Sequence, residues 1–119
     1  MAESIVKSKS KMFALRIIKL YNYLCDSKRE FVMSKQLLRC GTSIGANICE
    51  AEYSMSKREF VAKMNISLKE SAEAEYWLEL LHDSKYMTQK EYCSIISDCR
   101  EIKSILVSII KTTNKNLKK

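Results

Sequence analysis

The sequence predicts an all-α fold, an up-down-up-down antiparallel four-helix bundle in a single domain of 119 residues. Three observations predict it. Apolar residues recur at helical spacing through four long segments. Proline is absent and glycine occurs only twice, which leaves almost nothing to make the frequent turns of an all-β chain. Short polar connections with capping signals separate the segments, as antiparallel neighbours in a bundle require. With 46% hydrophobic residues the chain also has enough apolar side chain to fill a core.

The first segment runs from about residue 10 to 25. Phe13, Ile17, Leu20 and Leu24 share its core face, while Lys9, Arg16, Lys19 and Tyr23 gather on a neighbouring one. Asp26 to Glu30 forms a polar loop. The second segment, about 34–53, opens at Ser34 as a candidate N-cap. It contains both glycines, Gly41 and Gly45. An interior glycine costs about 1 kcal/mol relative to alanine, so two of them four apart point to close approach of another helix along a groove of Gly41, Gly45 and Cys49. The third segment, about 57–85, opens on a capping box from Ser56 to Glu59 and carries Phe60, Met64, Leu68 and Leu78 as its core stripe. The fourth, about 89–114, opens on a second box from Thr88 to Glu91 and buries Ile95, Cys99, Ile102, Leu106 and Ile109. Residues 115–119 form a basic tail that is expected to fray.

Charge is unevenly distributed along the chain, whose net charge is +7. Residues 1–40 carry +6, residues 41–83 carry −4 and residues 84–119 carry +5. Two basic ends around an acidic middle raise the expectation of a polyanionic partner, chiefly nucleic acid. The plainer reading is a set of Lys-rich helix faces that keep a small protein in solution. The five cysteines include no C-x-x-C pair and are odd in number, which argues against a disulfide framework and a thiolate zinc site. Reduced thiols in a cytoplasmic protein are expected. No run approaches the roughly 18 apolar residues of a membrane span.

Catalytic constellations are missing. Two glycines cannot build a P-loop or a dinucleotide-binding turn. A di-iron centre needs two Glu-x-x-His pairs, and the single histidine supplies one, Glu79 with His82. No second histidine or nucleophile elbow supports acyl transfer. A non-enzyme with no cofactor and no metal is expected.

Several polar residues fall where the helical wheel predicts core. Arg39, Ser43, Asn47 and Glu50 form a ladder on the second segment, and Ser71, Glu75 and His82 lie on the apolar side of the third. Buried charges need partners, so the simplest expectation is a structural network in which Arg39 pairs with Glu75 and Ser43, Asn47 and Ser71 complete it. A second apolar column on the third segment, Ala62, Ile66, Trp77 and Leu80, lies away from the core stripe, as Ile18 does on the first. Such a column around a tryptophan predicts a subunit interface.

The stretch Leu38-Arg39-Cys40-Gly41-Thr42-Ser43-Ile44-Gly45-Ala46-Asn47-Ile48-Cys49-Glu50-Ala51, followed by Arg58-Glu59-Phe60, resembles the bacterial four helix bundle protein family. That family was first noticed as reading frames in intervening sequences of large-subunit rRNA genes, and "ribosomal protein" has been attached to it. Arg39, Ser43, Ile44, Asn47, Ile48 and Glu50 match its first motif, Phe60 its next helix start, and Ser71 with Glu75 its last motif. Ala51 and Glu70 stand where the pattern has glycine. The resemblance implies a ring-like homo-oligomer, a pentamer. It also implies kinship with the accessory variability protein of diversity-generating retroelements, a basic barrel that binds nucleic acid and a reverse transcriptase.

The leading functional expectation is a homo-oligomer that binds nucleic acid, structured RNA above all, by electrostatic contacts. Lys9, Lys11, Arg16 and Lys19 with Tyr23, and Lys111, Lys115, Lys118 and Lys119 at the chain's end, are the candidate contacts. The alternative is a protein–protein adaptor ring in which Trp77 and the acidic third segment dock a partner such as a reverse transcriptase. Charge reversal at Arg16 and Lys19 separates the two.

Overall fold

The computed structural model describes residues 1–117. It contains four helices: α1 (Ala2–Asp26), α2 (Met33–Ala51), α3 (Lys57–Asp83) and α4 (Gln89–Leu117). Each packs against its sequence neighbours, and α4 returns to α1 along the least extensive of the four seams. α1 and α3 therefore stand on one diagonal of the bundle, and α2 and α4 on the other. The bundle measures 52 × 22 × 20 Å. No helix is long and apolar enough to cross a membrane among the described residues.

The core follows the predicted stripes of α1 and α4 most closely, and on α3 it keeps Met64 and Leu78 of the predicted four. Phe13, Ile17 and Leu24 from α1 meet Leu37, Cys40, Ile44 and Ile48 from α2. Met64, Ala74, Leu78 and Leu81 from α3 and Ile95, Cys99, Ile102, Leu106 and Ile109 from α4 complete it. Leu20, Phe60 and Leu68 pack against its edge and stay half-buried. Burial pushes the Cys40 and Cys99 thiols up to about 12, which keeps them protonated. Cys49, expected in the glycine groove, is exposed, as is Cys93.

α1 begins eight residues earlier than its sequence predicts. The Ser- and Lys-rich start looks polar, yet Val6 and Ser10 continue the face of Phe13 and both are fully buried. The Ser10 hydroxyl satisfies itself by donating to the Lys7 carbonyl at 2.9 Å. α4 also overruns its expected end, so residues 115–117 are helical, while Lys118 and Lys119 lie outside the described residues.

Ser34 is not the cap of α2. It lies inside the helix, and Glu30 caps it instead: its carboxylate accepts the Val32, Met33 and Ser34 amides at 3.1, 3.0 and 2.7 Å. The Thr88 capping box forms in full: Thr88 Oγ1 accepts the Glu91 amide at 3.1 Å while Glu91 takes the Thr88 amide at 2.8 Å. At α3 half of the box forms, Ser56 Oγ accepting the Glu59 amide at 3.1 Å, and the Glu59 carboxylate reaches one residue further back to the Met55 amide at 2.9 Å.

The glycines seat α2 on α1. A Cβ on Gly41 would lie 3.0 Å from both Ile17 Cγ1 and Cγ2, and one on Gly45 would lie 3.1 Å from Ser10 Oγ. With both glycines committed there, the left-handed positions in the α1–α2 and α3–α4 connections fall to Arg29 (φ 55°) and Lys85 (φ 74°). Lys85 closes a Schellman turn, its amide bonded to the His82 carbonyl at 3.0 Å and the Tyr86 amide to the Leu81 carbonyl at 2.9 Å.

Candidate nucleic-acid interface

Where α1 and α4 meet loosely, an open groove of about 570 Å³ runs along the seam. Arg16, Lys19, Leu20 and Tyr23 line one wall from α1; Met87, just ahead of α4, and Lys90, Glu91, Ser94 and Ile95 at its start line the other. The antiparallel pairing produces it, because the last turns of α1 lie against the first turns of α4. The floor is apolar: Ile95 is 3% and Met87 8% exposed, and Leu20 is half-buried.

Cations dominate the rim, though they are not equivalent. Arg16 is locked across the seam, its guanidinium 2.6 Å from Asp98 Oδ2 and 3.0 Å from Ser94 Oγ. Lys19 and Lys90 have no acidic partner within 4.0 Å among the described residues. Lys28 holds its ammonium 6.0 Å from the centre of the Tyr23 ring. Glu91 is the acid on the wall, and its carboxyl is committed to the cap of α4. The Thr88 amide and hydroxyl hold its pKa below the ordinary value, against a smaller opposing effect of burial.

The predicted basic residues thus do not form one surface. Lys9 pairs with Glu101 at 3.1 Å. Lys11 is exposed on α1. Lys111 and Lys115 lie at the opposite end of the bundle, beside the start of α1, and Lys118 and Lys119 lie outside the described residues. Only Arg16, Lys19 and Tyr23 share the groove. Lys28, Lys90 and the α4 floor escaped the sequence reading. Pairing the two ends of an antiparallel α1 and α4 was the signal that could have found them.

The expected Arg39–Glu75 network is not formed. Arg39 pairs with Glu73 at 2.6 Å and more loosely with Glu70 at 3.6 Å. Glu75 turns to α4, meeting Lys103 at 2.5 Å and Arg100 at 2.8 Å. These two bonds, Lys103 first, hold its pKa below the usual carboxylate range. α3 is flanked on both sides, and Glu75 lies toward the α4 side. Ser43 and Asn47 bond back within α2, to the Arg39 and Ser43 carbonyls at 2.7 and 2.9 Å. Glu50 pairs with Lys63 at 2.9 Å. Ser71 is buried and donates to the Leu68 carbonyl at 2.6 Å, within its own helix. Two buried side chains do bond across to a neighbouring helix: Ser67 donates to the Ile44 carbonyl at 2.8 Å and the Cys99 thiol to the Ser71 carbonyl at 3.4 Å. Glu70, where the family pattern has glycine, leaves its Oε2 buried without a hydrogen bond. His82 stacks on Tyr92 at 4.3 Å.

Of the predicted interface column, Ala62 and Ile66 are exposed, and Ile18 is exposed on the diagonal helix. Trp77 and Leu80 are half-buried, and the Trp77 indole donates to Glu73 at 3.0 Å. α1 carries further exposed apolar side chains that the sequence reading left out, Ile5, Met12 and Leu15.

Residues 2–108 match the family model of the 23S rRNA-intervening sequence protein. Among solved structures, the chain is 55% identical to a protein of unknown function from the S23 ribosomal protein family of Bacteroides thetaiotaomicron. The match covers 93% of this chain and 99% of that one with a TM-score of 0.92. No curated protein matches the chain.

Proposed function

Because the chain belongs to the 23S rRNA-intervening sequence protein family, we propose that it is a non-enzymatic basic protein that binds nucleic acid, structured RNA above all, by electrostatic contacts, and that it does so as a homo-oligomer. The observation that carries this reading is the α1–α4 groove, where Lys19, Lys28 and Lys90 gather beside an exposed tyrosine and the one lining acid is committed to a helix cap. Uncompensated lysines converging on a groove attract phosphates and release counterions when they bind them. An RNA hairpin titrated by fluorescence anisotropy tests it. Affinity should fall by at least about tenfold between roughly 50 and 200 mM salt, and by a similar factor when Lys19→Glu and Lys90→Glu are combined. Reversal at Arg16 is a poorer probe, since it would set an acid against Asp98 and open the seam itself. Binding indifferent to salt and to the double reversal would defeat the electrostatic reading and turn attention to the adaptor alternative.

Oligomerisation is supported by apolar side chains on two diagonal corners, Met12, Leu15 and Ile18 on α1 and Ala62 and Ile66 on α3. A lone small bundle has no use for apolar columns on opposite outer faces. In the pentamer that the family resemblance implies, five chains of +7 would make a particle of about +35.

A further inference from the structure

A surface that only neutralises a duplex needs cations and nothing else, because a duplex offers its phosphates outward and keeps its bases stacked. The α1–α4 groove has more than cations. Its floor of Leu20, Met87 and Ile95 is apolar and largely withdrawn from water, and its wall carries Tyr23 at 40% exposed. Neither feature gains anything from a phosphate. Both suit a flat, weakly hydrated aromatic ring. At about 570 Å³ the groove falls in the range of small-ligand sites, roughly 300–1,000 Å³.

We infer that the groove receives one unpaired nucleotide of a bound RNA, a bulged or looped-out base that stacks against Tyr23 over the Leu20–Met87–Ile95 floor while Lys19 and Lys90 hold the flanking phosphates. This rests on the nucleic-acid reading above and adds the class of RNA element that the site selects. The chemistry is favourable on each count. A base already outside the stack needs no unpairing to enter, an aromatic face accepts any base, and the two lysines stand on opposite walls, where the strand enters and leaves. Lys28, whose ammonium lies over one face of the tyrosine ring 6.0 Å from its centre, adds a third positive charge outside the floor and leaves the ring's other face to the base. The forked donor in the lining, Arg16, is committed to Asp98 and Ser94, so the selection is for an unpaired nucleotide and not for its identity.

The test compares two RNA duplexes of equal length, one fully paired and one with a single 2-aminopurine bulge, each titrated with the full-length chain. The bulged RNA should bind about tenfold more tightly, the gain expected of one stacked base, with its 2-aminopurine fluorescence quenched on binding. Tyr23→Ala should remove that advantage, bringing the bulged RNA down to the affinity of the paired duplex, while Tyr23→Phe should retain it. Lys19→Glu with Lys90→Glu should weaken both RNAs. Equal affinities for the two duplexes, with Tyr23→Ala silent and the lysine variant still weakened, would overturn this inference and leave the electrostatic reading standing. Failure of both RNAs to bind at low salt would remove both. Unchanged circular dichroism for the Tyr23 variants distinguishes a lost contact from a lost fold.

Discussion

Glu30 is the side chain whose role is clearest at the scale of a single residue. Three amides at the start of α2 point at one carboxylate, and the carboxylate is only 8% exposed as a residue. Burial alone would raise its pKa; the bonds from the Ser34, Met33 and Val32 amides outweigh that effect and bring it below its ordinary value. A carboxyl whose folded pKa is depressed stabilises the fold above its unfolded pKa and loses that contribution as pH falls through the folded one. Glu30→Ala should therefore cost about 1–2 kcal/mol at pH 7 in urea unfolding, the scale of a lost helix cap. The difference from the natural protein should shrink below about pH 4 as the natural carboxyl protonates. A gap that stays constant down to pH 3 would show that the charge plays no part. The sequence held the ingredients, since Glu30 stands just ahead of α2, but the customary capping residues drew attention to Ser34. Glu75 teaches the same lesson. Its core-facing position was legible, whereas its choice of α4 cations over Arg39 depends on the rotation of α3 between two neighbours, which spacing along one helix does not encode.

Helices show where periodicity is strong and where it fails. α4 repeats apolar side chains at regular helical spacing, and all five residues of its predicted stripe are buried, with Ile96 and Ile110 widening it beyond that reading. The start of α1 was not, because its two buried positions, Val6 and Ser10, sit among lysines and serines and one of them is polar. The glycine pair in α2 was read correctly as a close approach; the partner helix and its side chains came only from the structure. That approach makes a prediction with two arms. Alanine raises intrinsic helix stability by about 1 kcal/mol over glycine, yet at Gly41 the new methyl would press on both γ carbons of Ile17 at 3.0 Å. Ile17 is fully buried and branched at Cβ, so it cannot swing aside without moving α1. Gly41→Ala should lower stability by about 1–2 kcal/mol despite the propensity gain. At Gly45 the methyl meets a single hydroxyl oxygen at 3.1 Å, with the Ser10 Cβ at an ordinary 3.5 Å, and a small rotation of that hydroxyl relieves it. Gly45→Ala should be less damaging, and thermal unfolding of the two variants side by side checks the order. Equal melting temperatures would mean that α1 yields as readily at Ile17 as at Ser10.

Across the whole molecule, charge and apolar surface divide along the same diagonal. α1 carries five bases and two acids, a net +3, and α3 carries four bases and six acids, a net −2. Each presents an exposed apolar column outward, with Leu15 52% exposed on α1 and Ile66 42% exposed on α3. Like corners would repel and unlike corners attract, so self-association through these faces favours a head-to-tail contact of one chain's α1 with the next chain's α3. A head-to-tail contact generates a ring when its rotation closes, and a pentameric ring has a mass of about 69 kDa, five times 13.8 kDa. The contact type can be separated from the stoichiometry by two variants. If the interface is head-to-tail, Leu15→Glu spoils one half of every contact and Ile66→Glu the other, so light scattering should find each variant monomeric. Mixed, they should pair, because the intact α3 corner of the first variant meets the intact α1 corner of the second. That mixture stops at a dimer, since the remaining corners are both spoiled. A contact between like corners predicts the reverse: each variant alone would still dimerise through its untouched corner, and mixing would add nothing. Ile66 stands on α3, diagonal to the α1–α4 groove, so Ile66→Glu should still bind RNA at its own groove, with lower avidity than the closed ring; Leu15 lies one turn from Lys19, and its variant reports on assembly alone.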